Sequence, residues 1–178
     1  MSVRGPVQVA DRHLFDCLID ARSPSEFALD HIPGAINCPV LDDDERRIVG
    51  TIYKQQGAFE ARRVGGAMVA ANLAKHLRER FADMPYNWKP LVYCWRGGLR
   101  SGSMVAWWRL VGWDAQQLAG GYKRWRQHVI AVIFMCLNRP PIFRMSCSWC
   151  MPMITEPAAR NSSALKNACV IRWKIATL

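Results

Sequence analysis

The sequence has no apolar run long enough to cross a membrane. Its longest, VIAVIFMCL at 129–137, is about half of the roughly 20 residues a spanning helix requires. The amino-terminal stretch MSVRGPVQVADRH lacks the apolar core of a secretory signal. Cytoplasm is therefore the default compartment, and no membrane partner is expected. Paired cysteine spacing is missing over most of the chain: seven cysteines, an odd number, do not read as a disulfide framework. Cys147 and Cys150 make a lone CxxC with no second pair or nearby histidine to complete a zinc site, so no metal is expected. Acidic residues are few, 14 Asp and Glu against 24 Lys and Arg, which leaves a formal charge of +10. That balance points to an anionic partner, nucleic acid or a phosphate-bearing small molecule, beside the plainer reading of a basic protein without one.

What is present suits a globular fold. The 178 residues are about one domain, and 51% hydrophobic with 21% charged residues can bury a core. HLFDCLIDAR (13–22) reads as a short buried strand ending in Asp20 and Arg22. SPSEFALDH then offers a helix start, with Ser23 as N-cap, Pro24 at the first helical position and Glu26 three residues after the cap. A turn and short strand follow in IPGAINCPV, and residues 42–83 read as largely helical behind an acidic DDDE. KPLVYCW is a strand, SGSMVAWWRLVGW a helix, DAQQLAGGY a strand and turn, and YKRWRQHVI a short helix. Strands alternating with helices predict an α/β fold with a mostly parallel central sheet covered by helices on both faces. In such folds ligands gather at the carboxyl ends of strands, where Cys94 lies.

CWRGGLRS (94–101) carries the chemistry. A thiol at a strand end, followed by a glycine-containing loop and a helix start, sits where several backbone N–H groups can converge on an anion. Arg96 and Arg100 add positive charge, Gly97 and Gly98 free the backbone, Leu99 continues the loop, and Ser101 is an N-cap candidate for the next helix. Together these lower a thiol pKa and favour a nucleophilic thiolate. The plain alternative is a buried core cysteine.

At these residues the sequence resembles the rhodanese family. DARSPSEFALDHIPGAIN is similar to that family's amino-terminal signature and LAGGYKRW to its closing segment. CWRGGLRS, with GTIYKQQGAFEARRVGG before it and GGYKRWR after it, resembles the rhodanese domain of the bacterial tRNA 2-selenouridine synthases over about residues 8–128. The resemblance implies a rhodanese-like fold over 1–130. It also implies exchange of sulfur for selenium in 2-thiouridine at the tRNA wobble position. Selenophosphate would be the selenium donor and geranyl diphosphate a further co-substrate, with no bound cofactor. Cys94 would carry the selenium, and Arg96, Gly97, Gly98, Leu99, Arg100 and Ser101 would hold the oxyanion. The loop from Cys94 to Arg100 spans seven residues, one more than in many thiosulfate-using rhodaneses, which suits a tetrahedral phosphate-type anion.

Other readings stay open. Cys94 and Arg100 also fit Cys-x5-Arg, the phosphate loop of cysteine phosphatases and arsenate reductases, although no loop residue is an evident acid for the leaving group. A stand-alone rhodanese sulfurtransferase and a non-catalytic binding module are two more. Lys54, Arg62, Arg63 and Lys123, with Arg124 and Arg126, are candidate tRNA phosphate contacts, each weighed against a solvated helix face. Trp95, Trp107, Trp108, Trp113 and Trp125 could stack on bases, with core packing the commoner use. For Asp20, Arg22, Glu26 and His31 a structural ion-pair and hydrogen-bond network is favoured over catalysis.

The resemblance stops before the carboxyl terminus. Full synthases continue into a P-loop domain, whereas this chain has no GxxxxGK[ST] motif. Residues 131–178 hold four of the seven cysteines and six Lys or Arg against one Glu, with no strand–helix alternation. They are expected to form an irregular tail, the product of a frameshift or truncation or else a short extension.

Overall fold

In the computed structural model, residues 5–137 are described, Leu137 by its backbone alone. The chain divides into two compact units, Met1–His128 and Val129–Leu178. Of the second unit only the continuation of the last helix falls within the described residues. The expected irregular tail lies, beyond Leu137, outside them, as do Cys147 and Cys150.

Four short strands form one parallel sheet: β1 (Cys17–Asp20), β2 (Ile36–Asn37), β3 (Pro90–Tyr93) and β4 (Gln116–Gln117), in spatial order β2-β1-β3-β4. A 3-10 turn at Val9–Leu14 precedes β1. Four helices connect the strands, α1 (Pro24–Leu29), α2 (Asp43–Gln56), α3 (Ala58–Glu79) and α4 (Leu99–Val111), and α5 (Gly121–Leu137) follows β4. The expected α/β architecture is therefore the one found.

Cross-strand pairing sorts the side chains onto two faces. Ile19 stands beside Val92, and Asp20 beside Tyr93. Alternation along each strand sends the first pair to one side and the second to the other. The Ile19–Val92 side packs on Leu73 of α3, on Phe81 just beyond that helix, and on Met104, Val105 and Trp108 of α4. Phe81, Trp88, Trp108 and Trp113 form an aromatic cluster there, with neighbouring ring centroids 5.0–6.3 Å apart. Each such ring stabilises the fold by about 1.5–3 kcal/mol through burial. On the other side the Tyr93 ring meets Tyr122 of α5 at 6.4 Å, and its hydroxyl accepts from the Ile32 N–H at 3.2 Å. Both faces are thereby covered.

Local signals explain most element boundaries. Glu26 reaches back to accept from the Ser23 N–H at 3.3 Å, and Asp42 and Glu45 complete a reciprocal capping box at 2.7 and 2.9 Å. The helical region 42–83 is two helices rather than one, because Gly57 takes φ +93° between α2 and α3. Only glycine enters that region readily. The last helix runs to Leu137, longer than the short segment read from the sequence.

Candidate active site

Cys94 follows the last residue of β3 and is 3% exposed. The loop from Trp95 to Gly98 then turns into α4, whose first residue is Leu99 and whose cap is Gly98. Ser101 is thus not the N-cap expected from the sequence; it lies inside the first turn, fully buried. The helix begins three residues earlier because Gly98 already holds an extended conformation, with its carbonyl accepting from the Gly102 N–H at 3.0 Å. From inside the turn, the Ser101 hydroxyl donates to Cys94 Sγ at 3.1 Å, and the Gly98 N–H donates to the same sulfur at 3.3 Å.

Burial works against a charged thiolate and is the largest single influence on Cys94. The Ser101 hydroxyl and N–H, the Gly98 N–H and the Arg100 charge together outweigh it and hold the thiol below its ordinary value. Cys17 shows the contrast. It starts β1 rather than following a strand, and burial, with Cys38 and Asp16 nearby, pushes its thiol up to about 11. A cleft of about 520 Å3 beside it, lined by Cys17, Ile36, Arg80, Phe81, Met84 and Trp88, includes no residue of the Cys94 loop.

The remaining loop residues divide by environment. Arg96 is exposed and makes no ion pair among the described residues. Arg100 is engaged: both its terminal nitrogens donate to the Glu26 carboxylate, the second at 3.4 Å. Burial pushes the Glu26 carboxyl up, but the hydrogen bonds and charge of Arg100 prevail and leave it below the usual value. Gly97 has φ +69°, and a Cβ there would stand 3.0 Å from the Leu118 carbonyl oxygen. Leu99 is largely exposed. The first N–H groups of α4 have no intrahelical acceptor, an end of a helix that suits an anion.

The closing segment LAGGYKRW buttresses this loop from behind. The Tyr122 and Lys123 N–H groups, at the start of α5, donate to the Cys94 and Trp95 carbonyls at 2.9 Å each. That approach is possible only because residue 121 is glycine: a Cβ there would lie 2.2 Å from the Cys94 oxygen and 2.7 Å from the Gly97 nitrogen. Gln117 of β4 supports the front, its side-chain amide donating to Ser101 Oγ at 2.8 Å and to the Gly98 carbonyl at 3.0 Å.

Asp20 and Arg22 form a buried pair below the loop. Arg22 Nε donates to Oδ1 at 3.0 Å and Nη2 to Oδ2 at 2.7 Å, and Nη2 also reaches the Asp30 carbonyl at 2.7 Å. The guanidinium lies 4.1 Å from the Tyr122 ring centroid. His31 Nδ1 is 2.9 Å from the Phe27 carbonyl and its ring stacks on Phe27 at 3.9 Å. These three residues join neighbouring elements, whereas Glu26, grouped with them in the sequence reading, belongs to the Cys94 loop through Arg100.

The candidate tRNA contacts fall in two places. Lys54, Arg62 and Arg63 are exposed on the α2–α3 hairpin, Arg63 paired with Glu60 at 2.8 Å, while Lys123 is exposed in the first turn of α5. Among the tryptophans Trp108, Trp113 and Trp125 are buried, Trp95 is half-buried against Tyr122, and Trp107 is exposed. The sequence reading missed Gln117, whose role needs β4 aligned beside β3. It also left Gly121 without a role, although its glycine doublet was a visible signal.

Residues 7–128, which carry this cysteine at the carboxyl edge of a parallel sheet, match the Rhodanese-like domain family, a sulfurtransferase-type class. The chain belongs to that family. Within it, the chain is similar to the tRNA 2-selenouridine synthase of Nitrosomonas europaea, 42% identical over 117 residues that are 65% of this chain and 30% of the relative. It is 38% identical to that of Salmonella arizonae over 133 residues, 74% of this chain and 37% of the relative. The chain thus spans about a third of the length of these curated relatives. Among solved structures it resembles the N-terminal domain of a protein described as ATP/GTP binding, from Clostridium difficile 630. That match has a TM-score of 0.64 and 36% identity, covering 71% of this chain and 99% of the other. Among the described residues no helix is long and apolar enough to cross a membrane, and no group of acidic, histidine or cysteine side chains is arranged to hold a metal ion.

Proposed function

We propose that this chain is the rhodanese part of a cytoplasmic tRNA 2-selenouridine synthase, acting in the replacement of sulfur by selenium in 2-thiouridine at the wobble position of tRNA. The supporting observation is the Cys94 sulfur, which accepts from the Gly98 N–H and the Ser101 hydroxyl at the mouth of an anion-binding loop. The chemistry this favours is attack by the thiolate on a sulfur or selenium atom carried by an anionic leaving group. A new bond forms to Sγ, the old bond breaks, and the leaving anion departs with its electron pair. With thiosulfate the products are a Cys94 persulfide and sulfite; with selenosulfate, a selenium-bearing Cys94 and sulfite.

In the synthase reading selenophosphate is the ultimate selenium source and geranyl diphosphate a second co-substrate. The loop N–H groups, Arg96 and Arg100 receive the donor anion, and Lys54, Arg62, Arg63 and Lys123 hold tRNA phosphates. Diphosphate binding falls to the two-thirds of the relatives that lie outside the matched region. Mass spectrometry of the chain after incubation with thiosulfate or selenosulfate tests the carrier role. One added chalcogen atom on the Cys94 peptide is expected, absent in Cys94→Ser; an unmodified Cys94 with both donors overturns it.

A further inference from the structure

The α2–α3 hairpin has a construction that the fold does not explain. Val49 and Gly65 stand eight residues either side of Gly57, and a Cβ on Gly65 would touch Val49 Cγ2 at 3.0 Å. The two helices therefore run antiparallel in close contact, with Gly57 at the tip. α2 packs chiefly against α3 and buries none of its own residues. At the tip two aromatic rings face solvent, Tyr53 at 61% exposure and Phe59 at 74%. Neither serves the core.

Cations share the hairpin with both rings. From Arg46 to Arg63 the hairpin carries Arg46, Arg47, Lys54, Arg62 and Arg63 against one carboxylate, Glu60. Arg46, Lys54 and Arg62 have no ion-pair partner among the described residues. The Arg46 guanidinium lies over Gly50, 3.2 Å from where a Cβ would be, on the helix face that continues to Tyr53. Arg62 stands three residues after Phe59, close enough for its side chain to lean back beside that ring. Exposed rings on a hairpin with cations that lack ion pairs match the chemistry of unpaired nucleic acid: bases stack on the rings while phosphates meet the charges. An apolar protein partner would leave these cations desolvated and unmatched.

We propose that the tip of the α2–α3 hairpin grips a single-stranded segment of RNA, with Tyr53 and Phe59 stacking on bases and Arg46, Lys54 and Arg62 neutralising phosphates. This rests on the reading of tRNA as substrate and names the surface that holds its unpaired bases. The recognition is tolerant of sequence, because every base offers a ring face and none of these side chains reads a base edge.

The test uses the full 178-residue chain, a fluorescent anticodon stem-loop RNA and a blunt RNA duplex of equal length as probes. Anisotropy titrations should show tighter binding to the stem-loop than to the duplex. The Tyr53→Ala/Phe59→Ala variant should lose about tenfold in stem-loop affinity, since a stacked base is worth about 1–3 kcal/mol, while its duplex affinity stays unchanged. Lys54→Ala/Arg62→Ala should lower the dependence of log affinity on log salt by about 1.4, at about 0.7 per phosphate contact. Circular dichroism melts of each variant report folding, and Tyr53→Leu/Phe59→Leu keeps the bulk if the alanine variant unfolds. Undiminished stem-loop binding in a folded aromatic variant overturns the proposal while leaving tRNA as substrate, and assigns the rings to a protein partner. Failure of the wild-type chain to bind either RNA overturns both.

Discussion

The side-chain amide of Gln117 donates to Ser101 Oγ at 2.8 Å, so the Ser101 hydroxyl proton is turned away from β4 and onto the Cys94 sulfur 3.1 Å away. Gln117 touches neither sulfur nor substrate, yet it decides what Ser101 does. Its second bond, to the Gly98 carbonyl at 3.0 Å, fixes the residue whose N–H is the other donor to Sγ. Thiolate stabilisation is thus a property of three elements together, β3, the start of α4, and β4.

Replacement of Ser101 by Ala should raise the Cys94 pKa by about one unit, since a hydrogen bond to a charged group contributes about 1.5 kcal/mol and one unit corresponds to about 1.4 kcal/mol. Gln117→Ala should raise it by about half as much. Gln117→Glu should raise it further than Gln117→Ala, because a carboxylate draws the Ser101 proton away from sulfur and adds negative charge. The pH profile of alkylation by iodoacetamide measures all three. Identical profiles for Gln117→Ala and Gln117→Glu would mean that Gln117 merely packs.

The Glu26–Arg100 pair predicts an opposite sign. Glu26 neutralises part of the Arg100 charge that favours the thiolate, so Glu26→Gln should lower the Cys94 pKa in the same assay. The same change should cost about 1–2 kcal/mol of stability at neutral pH. Because the folded carboxyl titrates below its unfolded value of 4.5, its contribution is present above that pH and is lost as the pH falls through the lower folded value. Urea unfolding at neutral pH and near pH 3 should therefore separate wild type from Glu26→Gln strongly in the first case and weakly in the second. Equal separation at both would remove the ion pair as the cause.

Two glycines should respond in opposite directions to the same substitution. At Gly121 an alanine Cβ would meet the Cys94 oxygen at 2.2 Å, and φ is +59°. Gly121→Ala should destabilise by more than about 3 kcal/mol, because the clash adds to the cost of a left-handed conformation. Gly66 lies within α3 with nothing within 4 Å of its Cβ position, so Gly66→Ala should stabilise by about 0.5–1 kcal/mol. Thermal melts of the two variants check both signs.

Much of the fold was legible because its signals are local. The capping box at Ser23, the apolar strand that ends just before Cys94 and the helical period of 42–83 are written within a few residues of where they act. The Cys94 loop was legible for the same reason: its cysteine, glycines and arginines are adjacent in the chain. Ser101 was misread as a cap because helix onset depends on backbone conformation at Gly98, and the residue types alone fit either start.

By itself, then, the sequence determined the α/β class, the place of Cys94 at a strand's end and the kinship of its loop, since propensity, periodicity and short motifs depend on neighbours along the chain. Tertiary structure alone decided that Glu26 rather than solvent meets Arg100, that Gln117 orients Ser101, and that Gly121 admits α5 against the back of the loop. Those pairs are separated by 74 and 16 residues in the first two cases and by a whole strand and helix in the third. No local pattern encodes such distances; sheet order and helix packing bring the partners together.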